Sequence, residues 1–435
     1  MNPLLFIIMV FGGIILLLAS GMWIAVALGV IGVIVLYVFV GGGTPGMIGI
    51  LAFNSINSFV LTAVPLFIFM GELLLRSGIS ERLYKGATAL VGFLPGGLLH
   101  TNIASCSVFA AVSGSSLATA ATIGVVAIAD QMGRGYDRKL LFGSLAGGAT
   151  LGILIPPSIP MILYGAMTLQ SVAKLFMAGI VPGLILAWFF MTYIGVISVR
   201  YPHLVPKRLK FSWRAALFAI GDIWPTLLLI FLVLGTIYLG VATPTESAAF
   251  GASGSLILVT VYRRLTWQTV KESALGAVKI SAWIMLILLG AQILSMGLSS
   301  LQVPVKLTEL ITAMAINRMV VLAIIIVFYL ILGCFIDAIS MIILTVPVVY
   351  PLMTSLGFDP IWLGVMLTIC IEMGLVTPPV GMNLYVIHGI TEGKYLRDII
   401  IGVVPFLICM ILLLIVITVF PILATWLPGQ MFKAF

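Results

Sequence analysis

Small hydroxyl side chains cluster around one glycine in an otherwise apolar part of the chain. The cluster consists of Ser113, Gly114, Ser115 and Ser116, with Thr119 and Thr122 following. A glycine among hydroxyls is typical of the tip of a helical hairpin, where oxygen atoms bind hard cations such as Na⁺ and helix N-termini favour carboxylates. A seam of small residues between two membrane helices is the alternative. Because a broken helix follows the cluster, a binding site is favoured over a packing seam.

One carboxylate, Asp337, lies inside an apolar stretch that runs from Gly333 to Pro347. A charged side chain at the centre of a membrane helix costs about 2.5–3.5 kcal/mol on insertion scales, so such residues are rare and functional by default. Asp337 is therefore predicted either to ligate a cation or to hold a hairpin by accepting backbone N–H groups. An exposed cap at a bend between two helices is the structural alternative.

Two Pro-Pro pairs lie in apolar segments of similar pattern, LGILIPPSIPMILY at 151–164 and MGLVTPPVGMNLY at 373–385. Each pair removes two backbone donors and disfavours a helix at the preceding residue. In hydrocarbon, such a break is tolerated only where the freed carbonyls are buried in protein or line a cavity. Ser158 adds a hydroxyl to the first break, while Thr377 and Asn383 add a hydroxyl and an amide to the second. Matched broken helices in the two halves of a membrane protein point to a transporter's binding site.

Three glutamates have roles that the sequence leaves open. Glu372, one turn before the second Pro-Pro pair, is either a proton site or an interfacial charge, and Glu72 near the end of a span is expected to cap or snorkel. The third is Glu246. The chain contains no Walker loop, HExxH or GxSxG motif, so an enzyme is not predicted. An ion gradient or a partner must then supply the energy for transport.

The elements that hold these residues are predicted to be membrane-spanning helices. Of the 435 residues, 62% are hydrophobic and 8% are charged, and the mean hydropathy is +1.29. Soluble domains, by comparison, are about a quarter charged. The apolar runs are about 18–25 residues long, which fits helices and not the alternating strands of a barrel. An all-α polytopic membrane protein is predicted, and its net charge of +8 is a topology signal and not a nucleic-acid footprint.

Charge and span counting predict two inverted repeats. The connection 200–214 carries five basic residues and is placed in the cytoplasm by the positive-inside rule. Each half then has three spans, a re-entrant hairpin and two spans, and the first half begins outside while the second begins inside. The predicted ranges are 1–214 with a hairpin at 88–132 and a broken helix at 140–168, and 215–435 with a hairpin at 318–353 and a broken helix at 361–390. Lys306 and Arg318 fall on the external face, against the bias.

Taken together, these features resemble the large membrane subunit of tripartite ATP-independent periplasmic (TRAP) transporters. The resemblance extends over essentially the whole chain. Its most specific parts are PLFIFMGE at 65–72, GSS at 114–116, GILIPPS at 152–158, GVATPTE at 240–246, Asp337 with Ser340 and Met341, and TPPVGMN at 377–383. A subunit of this kind is expected to combine a scaffold domain with a transport domain that moves like an elevator. It is also expected to lie in the bacterial inner membrane.

The resemblance implies a set of partners. A periplasmic solute-binding protein would deliver an organic acid, a carboxylate, whose uptake is coupled to Na⁺ at about two sites, with no enzymatic cofactor. A small four-helix membrane subunit is expected as a separate protein, because the chain begins directly with what resembles the first span of the large subunit. Membrane lipid surrounds both subunits. A symporter of related fold that needs no binding protein and a Na⁺/H⁺ exchanger are the alternatives.

The resemblance also implies site residues. One Na⁺ site would lie at the first hairpin tip and comprise Ser113, Gly114, Ser115, Ser116 and the backbone near Gly152. Its partner in the second half would comprise Gly333, Asp337, Gly374 and Thr377. The carboxylate substrate would lie between the two tips, near Ser115, Ser116, Ser158 and Asn383. No Arg or Lys falls in this set, so anion binding would rest on helix N-termini, hydroxyls and bound Na⁺.

Overall fold

The computed structural model of the protein describes residues 3–39, 41, 44–206, 212–314 and 316–431. This part of the chain forms twenty α-helices and no β-strand. The helices of the first half are α1 Pro3–Ala19, α2 Ile24–Phe39, α3 Thr44–Ile56, α4 Ala63–Arg76, α5 Ile79–Val91, α6 Leu98–Ser113, α7 Ser116–Gly133, α8 Arg138–Leu154, α9 Ile159–Thr168 and α10 Val172–Arg200. Those of the second half are α11 Trp213–Tyr238, α12 Pro244–Val261, α13 Trp267–Ser300, α14 Val303–Ala313, α15 Arg318–Gly333, α16 Ala338–Ser355, α17 Pro360–Val376, α18 Met382–Ile390, α19 Leu396–Val419 and α20 Ile422–Gln430.

The helices of the described residues have the length and composition of membrane spans. Seven of them are long and apolar enough to cross a bilayer, and an eighth span is formed by the pair Gly46–Ile56 and Val60–Arg76 if its 55° bend is counted within one span. Large apolar side chains such as Trp188, Phe231 and Val278 are 62%, 70% and 63% exposed. Exposure of this kind is expected where helices face lipid. The predicted class, an all-α polytopic membrane protein, is confirmed.

Two helical hairpins occupy corresponding places in the two halves. The first joins α6 to α7 through Gly114 and Ser115, and Gly114 has a φ of +60°, which glycine adopts without strain. This hairpin begins at Leu98 and not at residue 88, because residues 79–91 form the separate helix α5. The second hairpin joins α15 to α16 through residues 334–337, and its first helix begins at Arg318.

Each Pro-Pro pair interrupts a helix. In the first half, α8 ends at Leu154 and α9 begins at Ile159; in the second, α17 ends at Val376 and α18 begins at Met382. The peptide bonds Pro156–Pro157 and Pro378–Pro379 are both cis. A Cβ on Gly114 would lie 2.9 Å from the carbonyl oxygen of Pro157, so the first hairpin tip lies directly against the first break.

Several helices of the first half pack on helices of the second half, in pairs that contain one helix from each half. Helix α2 packs on α13 while α4 packs on α12, and α9 packs on α16 while α18 packs on α7. The longer segments of the two broken helices, α8 and α17, also contact each other. This exchange fits two halves of similar design. Their inversion across a bilayer and the division into scaffold and elevator domains stay predictions.

A buried polar network fastens the base of the first hairpin. The side-chain N–H groups of Gln131 on α7 donate to the hydroxyl of Tyr84 on α5 at 2.7 Å and to the carbonyl of Leu98 at 3.2 Å. Asn102 on α6 donates to the hydroxyl of Ser144 on α8 at 2.9 Å. Because unpaired polar groups are costly in a dry interior, a satisfied network of this kind fixes the arrangement of the four helices.

Some short helices were not predicted from the hydrophobic runs. Helices α3, α5, α14 and α20 contain 13, 13, 11 and 9 residues, which is too short to cross a bilayer alone. Helix α5 is amphipathic, with Leu83 buried and Arg82 exposed. Three basic residues of the predicted cytoplasmic connection lie outside the described residues, namely Lys207, Arg208 and Lys210.

Candidate substrate and cation site

The tip of the first hairpin brings several oxygen atoms together. Ser115 caps α7, and its hydroxyl accepts the backbone N–H of Ala118 at 3.4 Å. The hydroxyl of Thr119 donates to the carbonyl of Ser115 at 2.8 Å and lies 3.0 Å from the hydroxyl of Ser113. Uncharged oxygen atoms of this kind are ligands that hard cations accept.

Helix α8 approaches the same tip at Gly152. A Cβ at this position would lie 2.7 Å from the carbonyl oxygen of Ser115 and 2.9 Å from the hydroxyl oxygen of Thr119. Only glycine therefore lets the backbone of α8 lie against the cluster. The structure brings Ser113, Ser115 and Gly152 together, and it adds Thr119, which was not among the implied ligands. Its spacing of four residues from the helix cap Ser115 was the available signal, because residues i and i+4 share one helix face.

The tip of the second hairpin is built on Asp337. One carboxylate oxygen accepts the backbone N–H groups of Ile339 and Ser340 at 3.1 Å each, and the other accepts the hydroxyl of Ser340. A carboxylate at a helix N-terminus is also favoured by the helix dipole. Asp337 thus holds the start of α16, which is one of its two predicted roles, while cation ligation stays a prediction.

Two glycines bring the second hairpin into backbone contact with the second broken helix. A Cβ on Gly333 would lie 2.5 Å from the Cα of Gly374, and a Cβ on Gly374 would lie 2.6 Å from the Cα of Gly333. The thiol of Cys334 donates to the carbonyl of Pro378 at 3.4 Å. In both halves, therefore, a hairpin tip lies against a carbonyl of the Pro-Pro break. The hydroxyl of Thr377 is bonded at 2.6 Å to the carbonyl four residues before it in the same helix.

A small cavity lies between the two tips. It has a volume of 80 Å³ where it reaches Ser113, Ser115 and Glu72, and the adjoining part, of 60 Å³, is lined by Ser115, Ser116 and Asp337. Pockets for small organic ligands usually measure about 300–1,000 Å³. The two tips therefore face one another across the predicted site, and they must separate before an organic acid fits between them.

Among the described residues, no basic side chain lines this cavity. The guanidinium of Arg76 lies one turn after Glu72 on α4 and bonds to Glu72 at 3.0 Å and to Glu272 on α13 at 2.9 Å. Glu72 was expected to cap or snorkel, and the structure instead shows it paired with Arg76 at the wall of the cavity. Anion binding between the tips would therefore depend on hydroxyls and on the N-terminus of α7, because the carboxylate of Asp337 already occupies that of α16.

Two of the implied substrate residues lie behind the cavity surface. The amide N–H of Asn383 donates to the hydroxyl of Ser116 at 2.6 Å, which links α18 to the first hairpin tip. The amide oxygen of Asn383 is buried and has no hydrogen-bond partner among the described residues. Ser158 is fully buried, and its hydroxyl caps α9 by accepting the N–H of Met161 at 3.4 Å. In this conformation neither side chain lines the cavity.

The other two open glutamates lie in contrasting surroundings. Glu372 on α17 is fully buried, and within the described ranges neither carboxylate oxygen has a hydrogen-bond partner. The backbone of Leu154 lies close to it without meeting hydrogen-bond geometry. This position excludes an exposed interfacial charge in this conformation. Glu246 instead forms a capping box with Thr243 at the start of α12, with its carboxylate accepting the Thr243 N–H at 2.8 Å.

Comparison with known proteins identifies the class of this chain. Residues 11–423 match the family model described as "Tripartite ATP-independent periplasmic transporter, DctM component". The chain belongs to this family, and it is a TRAP transporter large permease. The family's description is that of a transporter component, and the word tripartite in it implies a system of three components.

Several named relatives are similar over most of the chain. The C4-dicarboxylate TRAP transporter large permease protein DctM of Pseudomonas aeruginosa is 35% identical, covering 87% of this chain and 88% of its own. The protein of the same name from Rhodobacter capsulatus is 34% identical, covering 97% and 98%. The sialic acid TRAP transporter permease protein SiaT of Haemophilus influenzae is 35% identical, covering 86% of this chain and 61% of its own.

One solved structure supports the fold. The crystal structure of the Alcanivorax borkumensis YdaH transporter, described as revealing an unusual topology, matches with a TM-score of 0.60. It covers 86% of each chain at 14% sequence identity. At this identity the likeness concerns the fold alone, and it agrees with the all-α membrane architecture.

Proposed function

We propose that this chain is the permease of a Na⁺-coupled importer of an organic acid in the bacterial inner membrane. The observation that carries the proposal is the cavity between the hairpin tips, where Ser115 and Ser116 face Asp337. An oxygen cluster lies on one side of it, at Ser113, Thr119 and the carbonyl of Ser115, and the close backbone contact of Gly333 with Gly374 lies on the other. Cations bound on both sides would leave the space between them favourable for a carboxylate, because opposite charges attract strongly where water is excluded.

The chemistry of the named relatives supports the substrate class. Their names refer to C4-dicarboxylates, to sialic acid and to isethionate, all of which are organic anions. The cavity itself offers the N-terminus of α7, which is capped by the uncharged hydroxyl of Ser115, and helix N-termini favour anions. We therefore propose a carboxylate substrate that is bound without a direct basic partner.

The proposed system has two protein partners. A periplasmic solute-binding protein delivers the organic acid, and a small four-helix membrane subunit joins the large permease in the bilayer. The three-component family supports this composition. One relative, the isethionate permease DctMQ, is matched over 66% of its length, so it contains a further part that this sequence does not match.

Ion coupling sets the energetics of the proposed uptake. Each net positive charge that moves inward gains about 2.3 kcal/mol per 100 mV of membrane potential. Two Na⁺ with a monoanion would use this term, whereas two Na⁺ with a dianion would not. A comparison of uptake with and without an imposed potential therefore tests whether net charge enters with each substrate molecule.

The test is sodium-dependent uptake by the permease reconstituted with both partners. Asp337→Ala and Ser115→Ala are each expected to raise the Na⁺ concentration for half-maximal uptake by about tenfold, the loss of one charge-assisted contact. Asp359→Ala is a matched control, because Asp359 caps α17 in the same way, accepting N–H groups at 2.9 and 2.8 Å, and does not line the cavity. Ser107→Ala serves the same purpose on the first hairpin. An unchanged Na⁺ requirement in both site variants would remove the assignment.

The same reconstitution separates the alternatives. Uptake that proceeds without any solute-binding protein would indicate a self-sufficient anion symporter of related fold. Proton-linked Na⁺ flux that ignores organic acids would indicate a Na⁺/H⁺ exchanger, for which the buried Glu372 would be the first residue to replace.

A further inference from the structure

An apolar groove separates α1 from the second hairpin. Its volume is 420 Å³, and it is lined by α1, α14, α15 and α16, with Phe11 and Leu18 on one side and Phe328 and Val349 on the other. The rings of Phe11 and Phe328 meet across it with their centroids 6.5 Å apart. The hydroxyl of Thr345 is the polar group in this lining, and it is bonded to the hydroxyl of Tyr329 and to the carbonyl of Met341.

The groove continues to the tip of the second hairpin. A cavity of 630 Å³ shares Leu18 and Leu332 with it and ends at Phe335 and Asp337. The two spaces thus form one path that leads along the hairpin from the bilayer to the candidate cation site. Both volumes lie within the range of about 300–1,000 Å³ that is usual for ligand pockets.

The chemistry of the lining selects the occupant. Water needs two or more polar partners to remain in a cavity, and the wall of the 420 Å³ space offers it none that is free. An empty space would forfeit the dispersion contacts of all its lining atoms. A lipid acyl chain is the apolar ligand that a bilayer supplies, and its shape fits a path that follows a helix.

Charged residues near the groove select the headgroup. Lys306 directly precedes the lining residue Leu307, and Arg318 starts α15, whose residues line the groove from Ile324 onwards. Both are exposed and have no acidic partner in the part of the chain that the structure describes. Their contacts are a hydrogen bond from Lys306 to a backbone carbonyl and a cation–π contact of Arg318. Glu309 is exposed and follows Lys306 by three residues on α14, so these three charges sum to +1, which complements one phosphate.

We propose that this groove binds one anionic phospholipid, with an acyl chain between α1 and the second hairpin and its phosphate at Lys306 and Arg318. These are the two basic residues that run against the positive-inside bias, and lipid binding gives that exception a reason. The bound chain closes the lateral path from the bilayer to Asp337. The inference is independent of the Na⁺ and substrate assignments.

The test uses the full-length permease in nanodiscs with phosphatidylglycerol or phosphatidylcholine that carries a photoreactive group in one acyl chain. Wild-type protein is expected to be labelled within α1, α15 and α16, with phosphatidylglycerol preferred. The double variant K306Q/R318Q is expected to lose this preference by about 30-fold, the effect of two basic residues at a membrane surface. The matched control R263Q/R264Q removes two exposed charges elsewhere and should leave the preference unchanged.

A second variant tests the acyl chain alone. Ile15, which is 59% exposed and lines both spaces, is replaced by Trp to fill the groove. Labelling by both lipids should then fall, while the melting temperature stays near that of the wild type. Equal labelling by the two lipids in the wild type, labelling outside the three helices, or an equal loss in R263Q/R264Q would each overturn the proposal.

Discussion

Replacing Gly152 by Ala perturbs the first oxygen cluster through a single methyl group. Its Cβ would lie 2.7 Å from the carbonyl oxygen of Ser115, whereas ordinary contact begins at 3.4 Å. The carbonyl must therefore move by the difference, 0.7 Å. Because the clashing atom is the backbone carbonyl oxygen of Ser115, no side-chain rotation relieves this clash.

The expected consequences differ for stability and for cation binding. Overpacking costs about 1–3 kcal/mol, and the higher helix propensity of Ala returns up to about 1 kcal/mol. The free energy of unfolding should therefore fall by no more than about 3 kcal/mol. A functional site tolerates displacements of its groups of about 0.5 Å. A shift of the Ser115 carbonyl by 0.7 Å should therefore remove most of the contribution of this one ligand to Na⁺ binding, which lowers the Na⁺ affinity about tenfold.

Two measurements separate these effects. One is the Na⁺ concentration for half-maximal uptake, and the other is the rise of melting temperature with Na⁺, which reports binding without transport. Gly195→Ala is the matched control, because Gly195 lies inside α10 and the added methyl group would have no neighbouring atom within 4 Å. It should raise stability slightly and leave the Na⁺ response unchanged. A folded Gly152→Ala protein with the wild-type Na⁺ requirement would refute the cluster as a cation site.

Three further substitutions test other contacts. Gly374→Ala should lower the melting temperature, because its Cβ would lie 2.6 Å from the Cα of Gly333, an atom that only backbone movement displaces. Asn383→Leu removes the donor to the Ser116 hydroxyl and should raise the substrate concentration for half-maximal uptake in transport assays. Gln131→Leu leaves buried acceptors on α5 and α6 without a donor, at about 1–3 kcal/mol each, which thermal unfolding in detergent would detect.

The hairpin tips could be predicted from the sequence because each interrupts an apolar pattern. Gly114 stands among hydroxyls, and Asp337 is a lone carboxylate in a long apolar run; both lie at the turns of the observed hairpins. The Pro-Pro pairs were equally informative, since a missing backbone donor acts locally and needs no tertiary context. Features with a local cause of this kind are visible in a single sequence.

The direction of side chains could not be predicted in the same way. Asn383 was expected near the substrate; α18 packs on α7, and its amide donates to the hydroxyl of Ser116 from behind the cavity surface, while its contact with substrate stays a prediction. Thr119 was counted with the hydroxyl cluster but not among the ligands, although its hydroxyl lies between Ser113 and the Ser115 carbonyl. The directions of both side chains depend on which face of their helix packs against the neighbouring helix. The sequence does not indicate this face where all faces of the helix are apolar.

Because α9 packs on α16 and α18 packs on α7, each half of the chain holds a helix of the other. Neither half forms both walls of the cavity, because the first half contributes Ser115 and the second contributes Asp337. Two polypeptides separated within the connection 201–212 would have to find one another before any binding face existed. Each half therefore depends on the other for the binding face, as the subunits of an obligate heterodimer do. The covalent connection between the halves fixes their ratio at one to one.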